Sequence, residues 1–159
     1  MTPDVPGLTI RMATPEDLDL ICGHRGSIVL ESGHPSELVE RIALAMRAWH
    51  SERLVDGRYR GWLAEADGEP LAGIGLVLLD WCPGPSHPDT DRRGLVLNLY
   101  VEPQHRRRGL AKALLKRVED EARILGVTFL VLHASKTGRP VYESMNWRAT
   151  TEMSLTLQS

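Results

Sequence analysis

The chain has 159 residues, 42% hydrophobic and 25% charged, which fits one globular domain over residues 1–159 and excludes a disordered or fibrous protein. Nineteen basic against 21 acidic residues leave a net charge of −2, so the surface as a whole is not built to hold nucleic acid. The apolar runs are too short to span a bilayer, residues 1–15 carry no secretory leader, and Cys22 and Cys82 form neither a metal-ligand spacing nor a disulfide framework; a cytoplasmic protein with no membrane partner and no metal is expected.

Residues 8–12 (LTIRM) read as a first strand. Thr14-Pro15-Glu16-Asp17 then starts a helix, with a hydroxyl cap, proline at the first helical position and acids in the first turn. A second helix is predicted from Pro35 to Val55, where Leu38, Ile42, Ala45, Met46 and Trp49 recur at three- and four-residue intervals. Residues 61–66 and 72–79 flank Asp67-Gly68, a hairpin signal because this pair tolerates positive φ. Residues 80–93 carry Pro83, Pro85 and Pro88 and form the longest loop.

Residues 95–101 (LVLNLYV) are almost continuously apolar, as in a central strand covered on both faces. A helix follows from Arg108 to Leu125, with Ala111, Leu114, Leu115, Val118, Ala122 and Leu125 on one face and Gly126 as its stop. Residues 127–132 (VTFLVL) make a second buried strand, and the strand–helix–strand spacing predicts a parallel crossover. A short helix over Gly138–Ser144 and one or two strands in 147–157 complete a mixed α/β sheet.

The segment from Val101 to Ala111 carries the chemistry. Arg106, Arg107, Arg108 and Lys112 crowd the positive end of the long helix, and Glu119, Asp120 and Glu121 lie in its later turns. Each misplaced cation costs about 0.3–1 kcal/mol at low salt. Three consecutive arginines alone read as a solvated surface; a buried strand before them and a helix after them point instead to an anion docked on the free N–H groups of the first turn. Gly109 and Ala111 let a phosphate approach the backbone.

Arg106-x-x-Gly109-x-Ala111, preceded by Leu99-Tyr100-Val101-Glu102-Pro103, resembles the acetyl-CoA signature of the GCN5-related N-acetyltransferase (GNAT) superfamily. A second family signature follows as Ser135-x-x-Gly138-x-x-Val141-Tyr142-Glu143-x-x-Asn146-Trp147. Arg107 and Asn146-Trp147 depart from the family's glycine and Gly-Phe; Asn tolerates the left-handed turn, and Trp147 can fill an aromatic core position.

The resemblance implies a sheet whose parallel strands splay near Leu99 and Ser135 and an acetyl-CoA co-substrate held by Leu99, Tyr100, Val101, Arg106, Arg107, Arg108, Gly109, Leu110, Ala111, Lys112, Ser135 and Gly138. It implies direct attack by a primary amine of a small molecule or peptide, with Tyr142 near the sulfur as the acid. The rival of another class is an acyl-CoA sensor without turnover. His133, Glu31, His34, Asp80, His87 and Asp89 are candidates for the base, and none is assigned. Residues 20–60 and the 80–93 loop are where acceptor specificity would lie, and Trp81 and Trp147 are the aromatics a homodimer would use.

Overall fold

The computed structural model describes residues 2–157. Five strands, β1 (Thr9–Met12), β2 (Tyr59–Ala66), β3 (Glu69–Asp80), β4 (Arg92–Val101) and β5 (Leu130–Val131), lie side by side in chain order. The first four are antiparallel to their neighbours, and β4 pairs with β5 in parallel. Helices α1 (Leu18–Glu31) and α2 (Ser36–Asp56) cover one face, α3 (Leu110–Ile124) covers the other, and a short α4 (Arg139–Glu143) follows β5.

Local chemistry explains the boundaries. The Asp17 carboxylate accepts the Thr14 N–H at 2.7 Å, and a 3-10 turn over Pro15–Asp17 precedes α1. Asp67 and Gly68 both take positive φ, 51° and 77°, which fits the twist of the β2–β3 hairpin. Gly126, with φ 71°, ends the long helix. Leu110, Leu114, Leu115 and Val118 of α3 are buried against Trp62, Ile74, Leu76 and Val96, and each such side chain contributes about 1.5–3 kcal/mol. The late acids of α3 have partners: Glu121 pairs with Arg60 and Arg117, and Asp120 with Lys116 and Arg123.

Several expectations are corrected. Strand β4 alternates buried and half-buried residues instead of being sealed on both faces. The 127–132 strand shrinks to Leu130–Val131, because only Gly94↔Leu130 and Leu95↔Val131 pair before the two chains part. Residues 147–157 form no strand: they are without a ladder partner, and Met153, Leu155 and Leu157 stand in solvent. The 80–93 loop shortens as β3 and β4 extend into it. It packs by stacking His87 on Phe129, 5.6 Å between ring centres, at the opposite end of β4 from Leu99, roughly 20 Å away at 3.3 Å per residue.

Between the sheet and α1–α2 lies a layer of buried polar rings. His24 and Tyr100 face each other 5.0 Å apart, and His50 meets Tyr59 edge-on at 5.1 Å. Gly73 and Gly75 make room for this layer: a Cβ on Gly73 would lie 3.0 Å from His24 Nδ1, and one on Gly75 would overlap the Tyr59 hydroxyl.

Burial holds both His24 and His50 below their usual 6.5, and for His24 it outweighs the nearby Glu102. Above pH 6.5 neither state binds the extra proton, so these groups leave stability unchanged. Below it the unfolded chain takes up protons that the folded chain refuses, so the free energy of unfolding must fall as the pH drops. Urea unfolding at pH 7.5, 6.5 and 5.5 should therefore show a stability loss in acid that His50→Gln reduces. An unchanged acid slope in that variant would contradict the assignment of His50 as a neutral buried ring.

Candidate functional site

The β4–β5 ladder ends at Leu95 and Val131, and beyond it the strands part. The gap is a cleft of about 430 Å³. Leu99, Tyr100 and Val101 form one wall; Ser135, Thr137, Gly138, Val141 and Tyr142 form the other. Its floor is the turn into α3, with Arg106, Arg107, Gly109, Leu110, Ala111 and Lys112. Eleven of the twelve residues expected to hold the co-substrate, and Tyr142, thus meet around one cavity.

The floor has a distinctive backbone. Arg107 and Gly109 take left-handed φ of 61° and 84°, which turns successive amides the same way. The first hydrogen bond of α3 runs from Ala113 N–H to Gly109 C=O at 3.1 Å, leaving the amides of Leu110, Ala111 and Lys112 without a carbonyl acceptor within the helix. Arg107 and Lys112 line the cleft with no ion-pair partner among the described residues.

The other two arginines are engaged. Arg106 donates to Val101 C=O at 2.9 Å and to Glu31 at 2.6 Å, and its guanidinium lies 5.5 Å from the centre of the Tyr100 ring. Arg108 is the twelfth expected residue and does not line the cleft. Its Nε donates to Asp4 C=O at 2.9 Å, while Asp4 N–H donates to Arg108 C=O at 3.0 Å. This pair of bonds ties residues near the start of the chain to the back of the turn. Pro3 lies where a Gly109 side chain would go, 3.2 Å from an ideal Cβ.

On the opposite wall, Ser135 Oγ accepts Gly138 N–H at 3.0 Å. A Cβ on Gly138 would lie 3.2 Å from the Tyr142 ring, so glycine there lets the phenol reach the cleft. Burial pushes the Tyr142 phenol above its usual 10. Asn146, with φ 66°, closes the turn after α4, and Trp147 donates to Glu119 at 3.2 Å while packing against the core. Trp147 is thus partly buried against the core, and Trp81, 45% exposed, carries Arg93 3.3 Å above its ring.

The unassigned candidates separate. Glu31 lines the cleft and accepts the Tyr100 hydroxyl at 3.4 Å. His133 is exposed on the far side of β5, 3.9 Å from Glu152, rather than buried or facing the slot. Asp80 ends β3, paired with Arg92, and His87 and Asp89 belong to the loop that follows it, all distant from the cleft. Three features escaped the sequence reading: the Glu31–Arg106 pair, the Asp4 tie, and His24 lying 3.3 Å from Glu102. Each joins residues far apart in the chain, and no local pattern announces them. No group of three or more His, Cys, Asp or Glu placed to hold a metal occurs among the described residues.

A family profile described as the acetyltransferase (GNAT) family matches residues 28–147. The fold superposes on a GCN5-related N-acetyltransferase from Ralstonia eutropha JMP134 with a TM-score of 0.93 and 45% identity, covering 95% of this chain and 99% of that one. A predicted acetyltransferase with acetyl-CoA from Clostridium acetobutylicum matches with a TM-score of 0.85 and 27% identity, over 95% and 96% of the two chains. An aminoglycoside N-acetyltransferase in complex with CoA shares the fold, with a TM-score of 0.73 at 20% identity over 99% of each chain. A search of curated proteins found no match.

Replacing Gly109 by alanine should lower stability by about 1–2 kcal/mol, from left-handed strain plus the displacement of Pro3. Urea unfolding of Gly109→Ala reads this directly, and a variant as stable as the parent would mean that the turn relaxes freely.

Proposed function

The chain belongs to the GNAT acetyltransferase family, and on that premise we propose that it transfers the acetyl group of acetyl-CoA to a primary amine of a small molecule or peptide. The observation that carries this reading is the cleft between parting strands, floored by free amides and two unpaired cations and flanked by a half-buried tyrosine.

The residues present fit the co-substrate from end to end. Arg107 and Lys112, with the amides of Leu110 to Lys112, would take the diphosphate. The free edge of β4 at Leu99–Val101 would pair with the amides of the pantetheine arm, as an added strand does. When bound, the thioester supplies an acyl group ready for attack. A backbone N–H on that edge would polarise its carbonyl oxygen. Glu31, at the mouth beside Tyr100, places a carboxylate where a cationic amine would approach.

Tyr142 is proposed as the residue that meets the charge developing on sulfur. A phenol ordinarily titrates near 10 and a thiol near 8.5, and burial makes this phenol a weaker acid still. Complete proton transfer is therefore uphill, and Tyr142 serves the departing thiolate by donating a hydrogen bond. The raised pKa also keeps the donor protonated through pH 9.

Tyr142→Phe should lower kcat at least tenfold and leave the affinity for acetyl-CoA nearly unchanged. The check is release of free thiol with a panel of primary amines, alongside calorimetric binding of CoA. An unchanged kcat removes Tyr142 from the mechanism. Tight CoA binding with no amine-dependent thiol release from the parent protein is the result expected of an acyl-CoA sensor, and would overturn the enzymatic reading.

A further inference from the structure

Asn98 is a polar residue in the middle of an apolar strand, and it stands in left-handed geometry with φ 57°. The β3–β4 register slips at this point, between Gly73 and Gly75. Val96 packs on the α3 side of the sheet and Leu97 on the α1–α2 side. Asn98 also turns toward the α1–α2 side, where it meets His50 and Tyr59, and Leu99 and Val101 return to the α3 side. Two successive residues on one face are the mark of a bulge, which bends its strand and increases its twist.

The position matters. Leu95 is the last β4 residue paired with β5, and Leu99 is the first that lines the cleft. The bulge occupies the interval between them, where the sheet opens.

Asn98 is held there by two buried neighbours. Its Nδ2 donates to His50 Nε2 at 2.9 Å and to the Tyr59 hydroxyl at 3.1 Å. All three residues are at most 5% exposed. His50 Nδ1 lies 2.8 Å from Met46 C=O, so Nδ1 carries the ring proton and Nε2 offers its lone pair; that fixes which way the Asn98 amide faces. Gly75 leaves the space that the Tyr59 ring crosses to reach Asn98. A left-handed residue in a strand persists only where its surroundings over-determine it, and here a helix, an edge-on ring and an absent side chain do so together.

We propose that His50, Asn98 and Tyr59 form a buried tie that fixes the β4 bulge and so aims the strand edge at the pantetheine arm of CoA, making them positioning residues for the co-substrate. This rests on the acetyl-CoA reading above. The tie acts on the wall of the cleft and not on its floor. Loosening it should weaken contacts to the arm and spare those to the diphosphate.

That difference supplies the test. Calorimetry is run with CoA and with 3′-phosphoadenosine 5′-diphosphate, the nucleotide half that lacks the arm. Tyr59→Phe and His50→Phe remove one partner each while keeping a ring in place. Each should weaken CoA binding by about five- to tenfold, the loss of one buried hydrogen bond, and leave the nucleotide's affinity unchanged. His50→Gln, whose amide oxygen can accept from Asn98, should recover part of the loss. CoA affinity equal to the parent's in both variants overturns the tie. So does an equal loss for both ligands, which is what a generally softened fold would give. Should His50→Phe fail to fold, Tyr59→Phe decides by the same comparison. A parent protein that binds neither ligand sinks the acetyl-CoA reading itself, whereas a binding parent matched by its variants sinks only the tie.

Discussion

Two residue pairs join β4 to β5, and then the ladder stops. The function proposed for this molecule depends on that early separation. A parallel sheet that kept pairing would satisfy its backbone internally and leave no edge for a guest. Parting at Leu95 and Val131 leaves unpaired donors and acceptors on β4, a wedge-shaped space beside them, and the start of α3 at its base. The same separation costs sheet hydrogen bonds, and the α3 face offsets this by burying a continuous row from Leu110 to Ala122.

The two faces of the sheet do different work. On the α3 side the packing is aliphatic and dense, with Leu114, Leu115 and Val118 fully buried. On the α1–α2 side, histidines, tyrosines and an asparagine replace aliphatic side chains, and α2 buries only His50 outright. A layer of this kind is directional where an oily core is not. It fixes angles between helix and strand through hydrogen bonds, and the glycines of β3 are the space it needs. The asymmetry sets dense aliphatic packing behind the turn into α3 and a hydrogen-bonded layer behind the bulge.

The sequence made some of this legible and concealed the rest for physical reasons. Period and punctuation located the four α-helices and the hairpin, because Pro15, Asp67-Gly68 and Gly126 act through their own dihedrals. The turn into α3 stood out as a candidate anion site because three arginines against a helix dipole are a local anomaly. Strand ends fared worse: Leu132 and Leu155 look as strand-like as Leu130, and only the presence of a partner separates them. Arg108 could not be told from Arg107, since what diverts it is Asp4, about a hundred positions away. Asn98 was visible as a polar interruption in LVLNLYV, yet its partners lie on another helix and another strand.

The bonds between Asp4 and Arg108, with Pro3 seated over Gly109, give Pro3 and Asp4 an unexpected standing. Residues usually treated as a convenient handle are bonded to the back of the turn proposed to take the diphosphate. A purification tag fused ahead of Pro3 would tug on that turn. Handling choices made at the bench would thus bear on the proposed co-substrate site.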